Sequence, residues 1–288
     1  MKQCYRIADH VICIECDNPD VIELIQGFEE FRSEYSEKCV LHVKLCANEP
    51  SPIEGIKFHS VETSIALCVL YHTGQGNGLE IRQNNILKLS LQYNMDTRHC
   101  IIIGCLAPEL LRYALWLAYN FSVINLSTIA IHSSSIAYEN NAFLYLGESG
   151  TGKSTHTKLL CQYLDNAELL NDDSPILRII NGNCFIYGSP WSGKTPCYKR
   201  KKALLTGITR LSQASENRIE PLTLHKAVGA LLPSFPPELY LNSNLQHYVI
   251  DLMSCVLDSI MIHLFKCLPN KEAAEISISY IRKSRIHM

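Results

Sequence analysis

Ala142-Phe143-Leu144-Tyr145-Leu146-Gly147-Glu148-Ser149-Gly150-Thr151-Gly152-Lys153-Ser154-Thr155 joins an apolar run of strand length to a complete G-x-x-x-x-G-K-[ST] pattern. Leu159, Leu160 and Leu164 then fall on one face of a helix expected from Thr157 to Leu164. Strand, loop, helix is the order that phosphate binding needs. Gly147 and Gly152 permit a tight loop whose backbone N–H groups point inward at phosphate oxygens. The following helix adds its positive N-terminal end to the same site. The nucleotide-contacting set is therefore Gly147, Glu148, Ser149, Gly150, Thr151, Gly152, Lys153, Ser154 and Thr155. In this pattern the lysine reaches the β- and γ-phosphates, and the Ser154 hydroxyl holds Mg²⁺.

The bulk composition narrows the class without naming a function. At 47% hydrophobic and 19% charged, a 288-residue chain is globular rather than disordered. A net charge of −2 supplies no general attraction for nucleic acid or anionic membrane, and neither is expected as a partner. The start, Met1 to Cys16, lacks the basic, long apolar and small-residue segments of a signal peptide. Glu109, Arg112 and Asn120 interrupt the most apolar stretch, Cys100 to Leu126, so a membrane span is not expected there. Thirteen scattered cysteines read as reduced thiols in a cytoplasmic protein, not as a disulfide framework. Cys13 and Cys16 form a lone C-x-x-C with no second pair to complete a zinc site.

Two regions are expected. Residues 1–98 carry short runs such as Val11–Ile14, Val40–Leu45, Ile65–Tyr71 and Ile86–Leu91, separated by turn signals such as Gln75-Gly76-Asn77-Gly78. They read as a β-rich N-terminal region without a catalytic motif. Residues 99–288 read as the nucleotide-binding domain with a helical C-terminal part. It opens on a helix from Pro108 to Ser122 and strands at Thr128–His132 and Ala142–Leu146. After the loop come a strand at Glu168–Asn171 and a hairpin turning at Asn181-Gly182-Asn183. Helical patterns follow at Leu224–Leu232, His247–Leu257 and Lys271–Arg282, with a short strand at Met261–Phe265. The fold class is thus α/β in the broad sense, with a mixed α+β sheet. The apolar C-terminal helices leave a homo-oligomer open.

Phosphoryl transfer needs a phosphate cradle, a metal with carboxylate support and a group that takes the proton of the attacking hydroxyl. Asp172 and Asp173 end an apolar strand about twenty residues beyond the loop, where a metal-supporting carboxylate belongs. Neighbours on a strand point to opposite faces, so the pair can serve two roles. His132 precedes the loop strand; its spacing alone leaves a packed or surface role open.

His132-Ser133-Ser134-Ser135, the loop, and Asn171-Asp172-Asp173 together resemble the core of HPr kinase/phosphorylase and its relative, ATP-dependent phosphoenolpyruvate carboxykinase. Ser149-Gly150 fits that family's GxSGxGK[ST] loop. Gly188-Ser189-Pro190-Trp191-Ser192-Gly193-Lys194 resembles the G-[ST]-P-W-x-G segment of its shorter members. The resemblance covers about residues 128 to 200 and is weaker beyond. It implies ATP and Mg²⁺, with Lys153 on phosphates and Ser154 and Asp172 on the metal. It also implies Asp173 as the base toward a serine-type hydroxyl and His132 as the residue orienting that base or the metal.

Two features depart from the family. Its extra metal-binding Glu after the Asp pair has no counterpart, because no Asp or Glu occurs from Ser174 through Ser215. The helix after the loop is about two residues longer, so the Asp pair can be aligned one residue off. The acid-free stretch instead holds Arg178, Lys194, Lys199, Arg200, Lys201, Lys202 and Arg210, as a phosphate clamp or as a solvated basic loop. The leading expectation is an ATP-dependent kinase acting on a protein, peptide or small-molecule hydroxyl. The alternatives are an ATP-binding regulatory module with little turnover and, further off, a carboxykinase-type enzyme.

Overall fold

The apolar run ahead of the loop is a strand with Ala142 to Leu146 all buried, and the architecture of its half of the chain follows from what pairs with it. The computed structural model describes residues 1–18, 21, 25–36, 38–63, 65–193 and 195–284; Lys194, counted above in the basic stretch, lies outside them. The chain is mixed α+β. It divides into two compact units, Met1–Leu126 with Pro237–His247, and Ser127–Pro236 with Tyr248–Met288.

The first unit is a nine-stranded mixed sheet. Its strands are β1 (Lys2–Ile7), β2 (His10–Cys16), β3 (Arg32–Ser33), β4 (Cys39–Cys46), β5 (Ile56–Glu62), β6 (Leu67–Thr73), β7 (Gly76–Gln83), β8 (Ile86–Asn94) and β9 (His99–Gly104). They run in the order β3-β1-β2-β4-β9-β8-β7-β6-β5. β4 is parallel to β2 and β9, and the other neighbours are antiparallel. Helix α1 (Pro108–Val123) buries Leu110, Leu111, Ala114, Leu115, Leu117 and Ala118 and packs on this sheet, with Pro in its first turn as its fixed φ favours.

The boundary therefore falls after Leu126, not at residue 98. Residues 95–98 are a turn between β8 and β9, which pair antiparallel, so the polar break in the sequence is a hairpin rather than a linker. Helix α4 (Pro237–Tyr240, after α2 and α3 of the second unit) returns to the first unit. There the Tyr113 hydroxyl donates to Glu238 Oε1 at 2.7 Å, and Asn242 Nδ2 donates to buried Asn77 Oδ1 at 2.7 Å. Gly76 and Asn77 lie inside β7, paired with Thr73 and His72 of β6, so the turn precedes them.

One cysteine pair departs from the expectation of reduced thiols. Cys4 and Cys13 are direct partners across β1 and β2, with Cα atoms 4.1 Å apart, and they form a disulfide; the other eleven cysteines are free. Sequence spacing gives no signal for a pair brought together by strand register. Cys13 and Cys16, three apart on β2, point to opposite faces and form no joint site. No helix among the described residues is long and apolar enough to cross a membrane.

The second unit is also built on a mixed sheet. Its strands are β10 (Thr128–Ala130), β11 (Ser133–Tyr138), β12 (Asn141–Leu146), β13 (Glu168–Asp173), β14 (Ile176–Ile180), β15 (Asn183–Tyr187), β16 (Lys202–Gln213), β17 (Arg218–Pro221) and β18 (Ile262–Cys267). The order is β10-β14-β15-β16-β12-β11-β13, with β18 on β16 and β17 on β18. The helices are α2 (Lys153–Tyr163), α3 (Leu224–Leu231), α5 (Gln246–Ser259) and α6 (Lys271–Ser284). Helix α2 starts at Lys153 rather than Thr157, because left-handed Gly152 (φ 97°) lets the loop turn directly into it.

Tyr145, Phe143, Leu160, Leu164, Phe265, Ile278 and Ile281 form one buried core between α2, α6 and the sheet. His156 of α2 sits in it at 3% exposure, its ring 5.0 Å from Tyr145 and 5.5 Å from Phe265. Nε2 is 2.8 Å from Ser277 Oγ, while Nδ1 has no partner, so an added proton would be buried without an acceptor. Burial accordingly pushes its pKa from 6.5 down to about 4. Below pH 6.5 the unfolded chain binds a proton that the folded chain refuses, so stability falls with falling pH between those values. The loss assigned to His156 is about 3 kcal/mol by pH 4. Denaturant unfolding at pH 7 and pH 4.5 is expected to show a smaller loss for His156→Leu than for the parent. Equal losses would assign the acid limb to other groups.

Candidate functional site

The loop closes on itself before any ligand is considered. Thr151 Oγ1 donates to Glu148 O at 2.8 Å, and Gln213 Nε2 donates to Gly150 O at 3.1 Å. Gly147 adopts φ 151°, and a Cβ there would lie 2.5 Å from Thr151 Oγ1, so only glycine fits. Over Gly150 and Gly152 a Cβ would meet nothing within 4 Å, which leaves open space above the loop. That space, at the N-terminus of α2, suits an anion.

Strand register delivers the other side chains. β11 lies between β12 and β13, pairing Ser133 with Asp173, and Ser134 with both Tyr145 and Asp172. His132, one residue before Ser133, is thereby placed beside Asp173. Ser134 Oγ and Thr157 Oγ1, both buried and 2.8 Å apart, pin α2 against β11.

Lys153, His132 and Asp173 form a chain of contacts. Lys153 Nζ is 3.0 Å from His132 Nε2, and His132 Nδ1 is 3.2 Å from Asp173 Oδ1. An ammonium can only donate and a carboxylate only accept, so a neutral imidazole here carries its proton on Nδ1. Lys153 Nζ also donates to Gly147 O at 2.7 Å and Glu148 O at 3.2 Å. Burial lowers the Lys153 pKa, and the Asp173 and Asp172 carboxylates work against that, with Arg210 adding to the lowering.

The two aspartates face different surroundings. Asp172 is buried at 4% exposure, and its Oδ1 accepts the Ser154 hydroxyl at 2.9 Å. The Asp173 side chain is 49% exposed, open to an incoming group. Asp173 also has φ 124°, a strained backbone for any residue but glycine, and such strain gathers where geometry is over-determined. Gly193 N donates to Asp172 O at 2.7 Å, and a Cβ at Gly193 would meet Asp173 Cβ at 3.1 Å. The structure thus brings His132, Lys153, Ser154, Asp172 and Asp173 together. Within it, Asp172 faces Ser154 and Asp173 faces His132.

The basic stretch divides. Lys199 Nζ is 2.6 Å from Glu168 Oε2 and Lys201 pairs with Glu168 Oε1, so these two cations are matched by a carboxylate upstream of the acid-free stretch. Glu168 is held below its ordinary pKa by hydrogen bonds from Lys199 and Lys201. Lys202 and Arg210 lie on the long strand β16, not in a loop. Arg210 is tied to the loop: its Nη1 donates to Ala230 O at 3.2 Å and its Nη2 is 3.7 Å from Glu148 Oε1. The parallel pairing of Leu146 with Arg210 puts it there, and no local signal singles it out from the other basic residues.

The sequence marks Asn171 only as a strand end and as the first residue of the Asn-Asp-Asp run. It is fully buried, and its Nδ2 lies within 3.2–3.3 Å of Ser189 O, Ser189 Oγ, Trp191 O and Cys197 O. Its Oδ1 accepts Ser174 N at 3.0 Å. One amide therefore fastens Ser189, Trp191 and Cys197 beside the Asp pair. Asn171→Ala leaves several buried carbonyls without a donor and is expected to cost about 2–4 kcal/mol in denaturant unfolding. A change within about 0.5 kcal/mol would show that these residues are held by other means.

Neither a protein-family model nor a curated protein matches the chain. Among solved structures it is similar to the Hpr(Ser) kinase/phosphatase from Coxiella burnetii, at 12% identity and a TM-score of 0.32, covering 55% of this chain and 97% of that one. At that level the site stands on its own residues.

Proposed function

We propose that this chain is an ATP-dependent phosphotransferase of the HPr-kinase type, moving the γ-phosphoryl group to a serine-type hydroxyl on a protein, peptide or small molecule. The observation that carries the reading is the contact chain Lys153–His132–Asp173 beside the Ser154–Asp172 hydrogen bond. It joins a phosphate-binding cation, a metal-holding hydroxyl–carboxylate pair and an exposed base in one place.

The residues fit MgATP. Mg²⁺ is ordinarily held by one or two carboxylates with substrate phosphates and water, and Ser154 with Asp172 supplies that protein share. When bound, the ion neutralises charge on the phosphates. Backbone N–H groups of the loop and the Lys153 ammonium hold the phosphate oxygens. Arg210 adds a second cation beside the loop, where charge builds on the transferring group.

Asp173 accepts the proton of the acceptor hydroxyl as its oxygen bonds to the γ-phosphorus and the bond to the β-phosphate oxygen breaks, releasing ADP. His132 donates from Nδ1 to Asp173, fixing the carboxylate while leaving a lone pair for the incoming proton. A carboxylate of modest basicity suffices if it lies within hydrogen-bond reach of the hydroxyl.

The test is purified protein with γ-labelled ATP, Mg²⁺ and lysate from the source cells. Label is expected on a defined acceptor as an acid-stable, alkali-labile phosphoester. Bound ATP with no label transferred would favour a regulatory nucleotide-binding module. Oxaloacetate-dependent formation of phosphoenolpyruvate would assign carboxykinase chemistry.

A further inference from the structure

The first unit carries a set of thiol and imidazole groups that phosphoryl transfer does not use. Cys4, Cys13, His42 and His99 are successive Cα partners across β1, β2, β4 and β9, so their side chains share one face of the sheet. A fifth residue joins them through an irregularity. Val11 pairs with Cys39 but Ile12 pairs with Leu41, so β4 carries an extra residue at that point. In a regular strand Cys39 and His42, three apart, would face opposite sides; the bulge turns Cys39 to the face of Val11 and Cys13. Cys39 accordingly packs in one buried cluster with Cys4, Val11 and Cys13. The His42 ring stacks on His99 with centroids 5.0 Å apart.

Three cysteine sulfurs and one imidazole on a single patch are the donor set of a Cys₃His tetrahedral zinc site. While Cys4 and Cys13 are joined, no group of three metal-ligating side chains stands ready among the described residues. Reduction adds two ligands at once. A cleft of about 430 Å³ lined by Lys2, Gln3, Cys4, Arg32, Ser33 and Tyr35 opens beside Cys4 and gives a reductant and an ion a way in. Its two cations favour the thiolate form of a released cysteine.

We propose that the reduced chain binds one Zn²⁺ through Cys4, Cys13, Cys39 and His42, and that the Cys4–Cys13 disulfide is the metal-free, oxidised form of this site. A dithiol reductant passes two electrons and two protons to the S–S bond and itself becomes a disulfide. Zn²⁺ then displaces the protons of the three thiols to solvent, and His42 ligates as the neutral imidazole. His99, stacked on His42, holds the ring in place.

The test uses the full chain, made metal-free, reduced with a phosphine and titrated with Co²⁺ as the probe. Visible bands of tetrahedral cobalt and near-ultraviolet thiolate charge transfer are expected to saturate at one Co²⁺ per chain and to vanish on adding one Zn²⁺. The unreduced chain should show neither. Cys39→Ser should lose charge-transfer intensity, and His42→Ala, at a partly exposed position that tolerates substitution, should weaken binding about tenfold or more. Cys46→Ser, on the same strand outside the cluster, should bind as the parent does. A reduced parent chain that keeps its circular dichroism yet shows no thiolate charge transfer would overturn the proposal. So would parent-like binding by both Cys39→Ser and His42→Ala.

Discussion

Asp173→Asn is expected to lower phosphoryl transfer by about 10²–10⁴-fold while leaving ATP affinity within a factor of a few, because it removes a proton acceptor and little else. The asparagine oxygen can still accept from His132 Nδ1, which is 3.2 Å from Asp173 Oδ1. Asparagine has the size and shape of the aspartate it replaces, so it meets the φ 124° backbone under the strain the parent already carries, and the fold should survive. The phosphate cradle and the Ser154–Asp172 pair are untouched. The readout is label transfer at saturating MgATP, with binding measured separately. A parallel loss of binding and transfer would instead place Asp173 in nucleotide binding.

Lys153→Ala is expected to weaken ATP binding by about 10²–10³-fold and to abolish detectable transfer at cellular ATP. An ammonium that donates to phosphate oxygens in a buried site makes charge-assisted hydrogen bonds worth about 1.5–3 kcal/mol each, and losing more than one would carry affinity through that range. The substitution has a second consequence. Lys153 Nζ holds His132 Nε2 at 3.0 Å, so its loss frees the ring that orients Asp173. Raising ATP to saturation should therefore restore occupancy but not the full rate. Lys153→Arg keeps the charge, but its longer, planar head does not match Gly147 O, Glu148 O and His132 Nε2 together, so rescue should be partial. Calorimetric titration with MgATP beside single-turnover transfer separates the two losses; unchanged affinity in Lys153→Ala would contradict the assignment.

What could be read from sequence was what short-range chemistry dictates. The loop, the strand before it and the helix after it lie in one contiguous stretch, and each is fixed by its own apolar spacing and glycines. His132 and Asp173 were visible as residue types at motif spacing, but their contact depends on β11 pairing with β13, a long-range fact. Arg210 was visible only as one of seven basic residues that could clamp phosphate; that it reaches the loop depends on β16 running parallel to β12. β16 carries no clear strand signal, and its basic residues read equally as a phosphate clamp or a solvated loop, since Lys202 at its start, Gly207 and Arg210 obscure its alternation of apolar residues. Asn171 gave no signal because its value lies in four acceptors, 18 to 26 residues downstream, that converge on one amide. The Cys4–Cys13 pair and the bulge that turns Cys39 toward it belong to the same class: register decides them, and register is not local.

Nucleotide held by Lys153 and the loop is expected to be used by Asp173. The most direct measurement is fractional ATP occupancy and label transfer in the same samples of parent and Asp173→Asn, with Mg²⁺ and source lysate as acceptor. Equal occupancy with transfer reduced at least about 10²-fold in the variant is the predicted result. Equal transfer by the two, or full occupancy of the parent with no transfer at all, would contradict it.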